Sequence, residues 1–184
     1  MMRVITGLAR GKKLKTLEGM ATRPTTERTK EAVFSTLFDK TVDANVLDLF
    51  AGSGQMGIEA LSRGAKHCTF VEQARDAVAV IRRNLGETRL DAKATLEFKE
   101  VFSFLASDRK KYDLIFLDPP YGKGLVDETV ALIEKYGLLS DDGIIVAESD
   151  DVDKVEEAFG NIKMYRKSKY GRAVVRYYTC GNGE

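Results

Sequence analysis

"LDPPYG", residues 117–122, sets a carboxylate, a rigid turn and an aromatic ring in succession behind the apolar run "YDLIF". The chain has only three prolines, and Pro119 and Pro120 are two of them. Proline fixes its own φ and disfavours helix in the residue before it, so the carbonyls of this turn keep one direction. The Asp118 carboxylate and a carbonyl around Pro119 can then accept hydrogen bonds from a planar amine whose lone pair is delocalised into its ring. Accepting those bonds localises the pair and aims it, which is positioning with electrostatic assistance rather than covalent catalysis. Tyr121 offers a face on which a flat ring can stack, worth roughly 1–3 kcal/mol in nucleic-acid contacts. A plain turn ending a buried strand explains the prolines but not the acid and the aromatic beside them.

A second constellation lies in "DLFAGSGQMG", residues 48–57. Gly52-Ser53-Gly54 permits a tight turn and close approach of a ligand to the backbone. Gly52, Gly54 and Gly57 satisfy GxGxxG, which alone is a weak dinucleotide signal. Charge separates the choices. A pyrophosphate needs the bare positive end of a helix, whereas Asp48 stands just upstream, where ligands of such sheets bind. A carboxylate there opposes a diphosphate and favours an ammonium or a sulfonium. S-adenosylmethionine carries both cations and no phosphate. Glu72, ending "HCTFVE", is placed to accept hydrogen bonds from two ribose hydroxyls, a role that fits NAD equally. The plainer reading of Asp48 is a carboxylate capping the following helix or loop.

The elements that must position these groups read as alternating strand and helix from residue 45. "NVLDLF", "HCTFVE", "ATLEFK", "YDLIFLD" and "GIIVAES" are short apolar strands, as expected where helices cover both sheet faces. Between them lie the helices "QMGIEALSRG", "QARDAVAVIRRNL", a short one around "VFSFL", and "GLVDETVALIEKY". Ala77, Ile81 and Leu85 repeat every four residues along the second of these. "KMYRKSKYGRAVVRYYT" reads as an antiparallel hairpin. Upstream, "TRPT" precedes a helix capped by Thr25 or Thr26, with Ala32, Val33, Phe34, Leu37 and Phe38 on its apolar face. The expected fold is α/β: a Rossmann-like, doubly wound, mostly parallel seven-stranded sheet with a C-terminal antiparallel hairpin and a small basic N-terminal extension. One domain spans residues 1–184, with a basic arm and helix over 1–40 and the α/β core over 41–184.

The formal net charge of +1 conceals an asymmetry. Residues 1–40 carry nine Lys/Arg against four Asp/Glu, residues 41–160 fourteen against twenty-three, and residues 161–184 six against one. Basic ends around an acidic middle suit a polyanion-binding rim beside a site of another preference. No apolar run approaches the roughly 20 residues of a membrane span, and "MMRVITGLARGKKLK" lacks a signal-peptide hydrophobic region, so the expected location is cytoplasmic. His67 is the only histidine, which excludes a Ser-His-Asp triad and a His-rich metal site. Cys68 and Cys180 have no CxxC or CxxH spacing and read as packing positions.

With "DLFAGSG", the acid of "FVE" and "DPPY" in place, the chain resembles class I S-adenosylmethionine-dependent methyltransferases acting on amino groups. "RVITGLARGKKL", "TRPTTERTKEAVF" and "KYGRAVVRYY" narrow the resemblance to the RsmD family, which methylates a guanine N2 of bacterial 16S ribosomal RNA. The likeness covers nearly the whole chain. It implies that Asp48, Phe50, Ala51, Gly52, Ser53, Gly54 and Glu72 bind S-adenosylmethionine and that Asp118, Pro119, Pro120 and Tyr121 form the amine site. The family usually has an Asp after the third strand to meet the adenine amino group. Here the nearest acid is Glu100, a longer side chain.

"DPPY" alone also admits a DNA adenine, or another ribosomal base, as the methyl acceptor, and the glycine pattern admits a nicotinamide-dependent oxidoreductase. Sequence-reading DNA enzymes commonly carry an added recognition domain, for which 184 residues leave little room. A basic arm suits folded RNA recognised by shape and phosphate geometry. Arg3, Arg10, Lys12, Lys13, Arg23, Arg28 and Lys30 are the expected RNA contacts. The expected acceptor is 16S ribosomal RNA within a small-subunit assembly particle, met by a monomer without a metal. The target base must leave its stack to reach Tyr121.

Overall fold

Five apolar segments meet side by side because each must bury both of its faces. In the computed structural model, which describes residues 2–17 and 27–181, β1 (Asn45–Leu49), β2 (His67–Glu72), β3 (Ala94–Phe98), β4 (Tyr112–Leu117) and β5 (Leu139–Asp150) run parallel. β6 (Ala158–Phe159), β7 (Ile162–Tyr170) and β8 (Ala173–Cys180) complete the sheet in antiparallel fashion. The order is β3-β2-β1-β4-β5-β8-β7-β6. Alternate residues of each strand enter two cores. Val46, Phe70, Leu114, Phe116 and Tyr177 pack beneath α1 (Glu27–Leu37), α2 (Gln55–Ser62) and α3 (Arg75–Thr88). Leu47, Val71, Ile115, Leu117 and Tyr178 pack beneath α4 (Val101–Ser107) and α5 (Leu125–Tyr136).

Three expectations need correction. The sheet has eight strands among the described residues, not seven. The added one, β6, pairs Ala158 with Lys163 and Phe159 with Ile162, and two residues are too few to leave an alternating pattern. Phe38 does not join the apolar face of α1: the helix stops at Leu37, Phe38 takes φ 47° and its ring is 82% exposed. Lys30 belongs to the interior, as described below. The proposed caps Thr25 and Thr26 lie outside the described residues.

Ala77, Ile81 and Leu85 are all buried along α3, as their spacing requires. The N-terminal arm is a small hairpin bridged at Arg3 and Lys13, with Met2, Val4, Ala9 and Leu14 buried. It docks on the C-terminal end of α2. Leu8 N–H donates to the Ser62 carbonyl at 2.8 Å, and Ala9 N–H donates to Ser62 Oγ at 2.9 Å. Gly7 is required at this contact. Its φ is +90°, and a Cβ would lie 1.8 Å from the Ser62 carbonyl oxygen.

Candidate active site

The strand order reverses between β1 and β4, and open parallel sheets bind ligands at that point, beyond the carboxyl ends of the strands. Leu49 pairs with Val71 and Leu117, and Leu117 pairs with Ala147. The ends of β1, β2, β4 and β5 are therefore level, and each delivers an acid at or next to its rim: Asp48, Glu72, Asp118 and Glu148.

After β1 the backbone needs three left-handed residues to turn back into α2. Phe50 has φ 57°, Gly52 φ 56° and Gly54 φ 75°. For Phe50 this is a costly conformation. Its neighbours hold it there: Ala51 N–H donates to the Val71 carbonyl at 3.2 Å, and Gly54 N–H to the Ala51 carbonyl at 2.7 Å. Glu72 fastens the loop to β2. Its Oε2 accepts from Gly52 N–H at 2.9 Å, and its Oε1 accepts from Gln73 and Ala74 N–H at 2.9 and 2.8 Å. Ser53 is half-buried, and its carbonyl accepts from Asn84 Nδ2 at 2.9 Å. The same amide bonds Lys15 of the arm in both directions, at 2.8 and 3.0 Å.

Asp48 lies below this loop, 3% exposed, its Oδ2 accepting from Gly57 N–H at 2.9 Å. Burial pushes its carboxyl up to about 7; the Gly57 bond opposes the rise and the neighbouring Glu72 adds to it. Asp48 thus does cap the first turn of α2. It also remains a buried acid whose charge is incompletely compensated, beside a loop whose Gly52 amide is already given to a carboxylate. Such a donor set fits a cation with a hydroxylated ribose and disfavours a pyrophosphate. Gly57 lets α2 lie directly on β2, since a Cβ would come within 2.3 Å of Phe70 and 2.6 Å of Cys68 Sγ.

Glu100 takes a different part. It is the N-cap of α4, accepting from Phe102 N–H at 2.9 Å and Ser103 N–H at 2.8 Å. Burial raises its carboxyl, but these bonds outweigh that and leave it below its ordinary value. Its oxygens thus start α4, as Asp48 starts α2 and Glu72 fastens the glycine loop.

At the end of β4, Asp118 is half-buried, Pro119 buried, Pro120 exposed and Tyr121 half-buried. The Tyr121 hydroxyl donates to Glu148 Oε1 at 2.6 Å. Burial, then that bond, drive the phenol far above its ordinary range. Residues 119–127 form one side of a cleft of about 190 Å³, closed on the other by Glu148, Ser149 and residues 152–155. The sequence reading missed Glu148. The signal was present: "IIVAES" ends an apolar strand with an acid, as do the runs that carry Asp48, Glu72 and Asp118.

The basic residues divide. Arg3, Arg10, Lys12, Lys13 and Arg28 are exposed, Arg3 pairing with Glu27 at 3.2 Å. Arg23 lies outside the described residues. Lys30 is a correction: it is wholly buried and cannot face RNA. Its Nζ lies 3.1 Å from Glu59 Oε2 and donates to the Arg3 carbonyl at 2.7 Å. Burial lowers its ammonium below the usual range, with Glu59 opposing. Glu59 also accepts from Ile5 and Thr6 N–H and from Arg63. This buried network bolts the arm to α1 and α2.

A family profile described as conserved hypothetical protein 95 matches residues 2–179. The Bacillus subtilis protein named "Putative rRNA methyltransferase YlbH" is 39% identical over 180 residues, covering 96% of this chain and 98% of that protein. Escherichia coli ribosomal RNA small subunit methyltransferase D is 36% identical over 177 residues, covering 96% and 89%. The solved structure named "Putative methyltransferase yhhF from Escherichia coli" superposes with a TM-score of 0.88 at 34% identity, covering 99% of each chain.

Proposed function

The chain belongs to the conserved hypothetical protein 95 family, the RsmD family, and on that premise we propose that it methylates a guanine N2 of 16S ribosomal RNA, using S-adenosylmethionine. The observation that carries this reading is the meeting of two loop-side carboxylates, Asp48 and Glu72, with the Asp118–Tyr121 turn at the reversal of strand order. The relatives named as ribosomal RNA methyltransferases set the substrate class.

In this reading Asp48 and Glu72, with the Phe50–Gly54 backbone, would hold the cofactor, which would supply an electrophilic methyl group, its sulfur leaving as a neutral thioether with the electrons of the broken S–C bond. Asp118 and a carbonyl near Pro119 accept the amine's two N–H groups, so its lone pair turns out of conjugation toward that methyl. Tyr121 stacks the extruded base, and Asp118 stands nearest to receive the proton the amine releases. Arg3, Arg10, Lys12, Lys13 and Arg28, with Arg23, form the phosphate-facing rim. The whole chain acts as one domain, a cytoplasmic monomer meeting its RNA in a small-subunit assembly particle. No helix among the described residues is long and apolar enough to cross a membrane.

The test is incubation with labelled S-adenosylmethionine and undermodified small subunits, followed by mapping of the modified nucleotide. Label in a guanine of 16S RNA is expected; label only in DNA or protein overturns the substrate. Thermal stabilisation by NAD(P) but not by S-adenosylmethionine would overturn the cofactor.

A further inference from the structure

We infer that Glu148 is the positioning residue for Tyr121, fixing through the phenol the ring on which the target base is read. The inference rests on the methyl-transfer reading for its consequence, though not for its geometry. The turn that carries Tyr121 is stiffened ahead of the ring by Pro119 and Pro120, but not behind it. Gly122 and Gly124 both take left-handed φ, 73° and 66°, and α5 begins only at Leu125. What fixes the ring comes from the neighbouring strand. Glu148 follows Ala147, the register partner of Leu117, so it stands beside Asp118 at the same rim.

The bond of 2.6 Å between the Tyr121 hydroxyl and Glu148 Oε1 has the length of a charge-assisted O–H···O⁻ contact. Glu148 is itself only 7% exposed and sits in β5, paired with Val175 of β8. A carboxylate on a central strand is a rigid anchor; the glycine-bearing segment after the ring, with Gly122 and Gly124, is not. A second tie points the same way. Asp153 Oδ2 accepts from Asp150 N–H at 3.0 Å and reaches Gly122 N–H at 3.5 Å. The far end of β5 is held in turn by Arg172, whose guanidinium meets Asp150 Oδ2 at 2.6 Å. The stacking wall of the cleft is therefore set by β5 and the hairpin behind it, not by the "DPPY" turn alone.

The role requires an acceptor at position 148 and a hydroxyl at position 121, and nothing of either residue toward the cofactor. Glu148→Ala and Tyr121→Phe should each lower kcat/KM on undermodified small subunits about tenfold or more, the worth of a hydrogen bond to a charged group. The double variant should be no worse than either single one, because both remove the same contact. Glu148→Gln, which keeps an acceptor but not its charge, should lose less than Glu148→Ala. S-adenosylmethionine affinity should stay within about twofold throughout. Additive losses, full activity in Glu148→Ala, or a matching loss of cofactor affinity would each overturn the role.

A readout independent of turnover separates this inference from the reading beneath it. With ring-¹³C tyrosine, the resonance absent from Tyr121→Phe identifies Tyr121. That resonance should move in Glu148→Ala and move less in Glu148→Gln. If the wild-type protein methylates no RNA while the resonance behaves so, the substrate reading fails and the anchoring stands. If Glu148→Ala leaves the resonance unmoved, the anchoring fails whatever the substrate.

Discussion

The two sides of the sheet's carboxyl rim hold their acids in opposite ways. On the glycine-loop side the carboxylates are held by main-chain amides: Asp48 by Gly57, Glu72 by Gly52, Gln73 and Ala74. On the β4–β5 side a carboxylate, Glu148, is fixed by its own strand and spends an oxygen on a side chain from another strand end, the Tyr121 phenol. Every residue but proline offers an amide, so the first arrangement asks for a backbone path rather than for particular donor side chains. The second exists only when two particular residues come into register. One side is built to be a rigid socket; the other places a surface.

The largest expected effect tests the division of labour directly. Asp118→Ala should lower methyl transfer by about two to three orders of magnitude, the scale of removing one preorganised polar group, while cofactor binding by calorimetry stays near wild type. Loss of cofactor affinity in this variant would merge the two sides into one and reassign Asp118 to structure.

Behind the socket stands the buried network of Lys30, Glu59 and Arg63. Lys30→Ala would leave Glu59 with Arg63 and two amides but without its buried ammonium, costing about 3 kcal/mol in urea unfolding. Lys12→Ala, on the exposed face of the arm, should leave stability unchanged and instead lessen the salt dependence of RNA binding, by a slope of roughly 0.7–0.9. Equal behaviour of the two lysines would mean that the arm is not docked as described.

This pair also shows what the sequence made legible. The alternation of short apolar runs with helices specified the parallel core, because burial on both faces leaves that signature. The positions of the glycine loop, Asp48 and Glu72 at the strand ends were readable, because each follows directly on its own apolar run. Lys30 was not. Its neighbours in sequence are polar, and its partner Glu59 lies on another helix, so charge alone suggested an outward-facing residue. Glu148 went unread for a similar reason: its partner is 27 residues away, and their meeting depends on β5 lying beside β4. The two-residue β6 was too short to carry a period.

A smaller effect probes the packing under the socket. Gly57→Ala places a methyl where Phe70 and Cys68 already stand, 2.3 and 2.6 Å away. α2 must lift from β2, at a cost of about 1–3 kcal/mol. Because Gly57 N–H is also the Asp48 donor, the same change should weaken cofactor binding. The Tyr121 ring should not feel it, which the labelled-tyrosine spectrum can check.

The last prediction follows from Asp48 alone. Its carboxyl is pushed up to about 7 in the folded protein, against roughly 4 in an unfolded chain. Between those values the folded state binds the extra proton, so stability contributed at this site is present below about pH 4 and is lost as pH rises toward 7. Above 7 both states are ionised and the dependence ends. Binding of a cationic cofactor runs the other way, because it needs the carboxylate. Affinity should fall up to about tenfold per unit as pH drops below 7, and level off above it. Asp48→Asn should remove both dependences, weaken binding, and raise the melting temperature of the ligand-free protein at pH 8, where the buried charge costs most. A pH-independent cofactor affinity in the wild type would place the cation's partner elsewhere on the socket, with Asp48 left as the cap of α2.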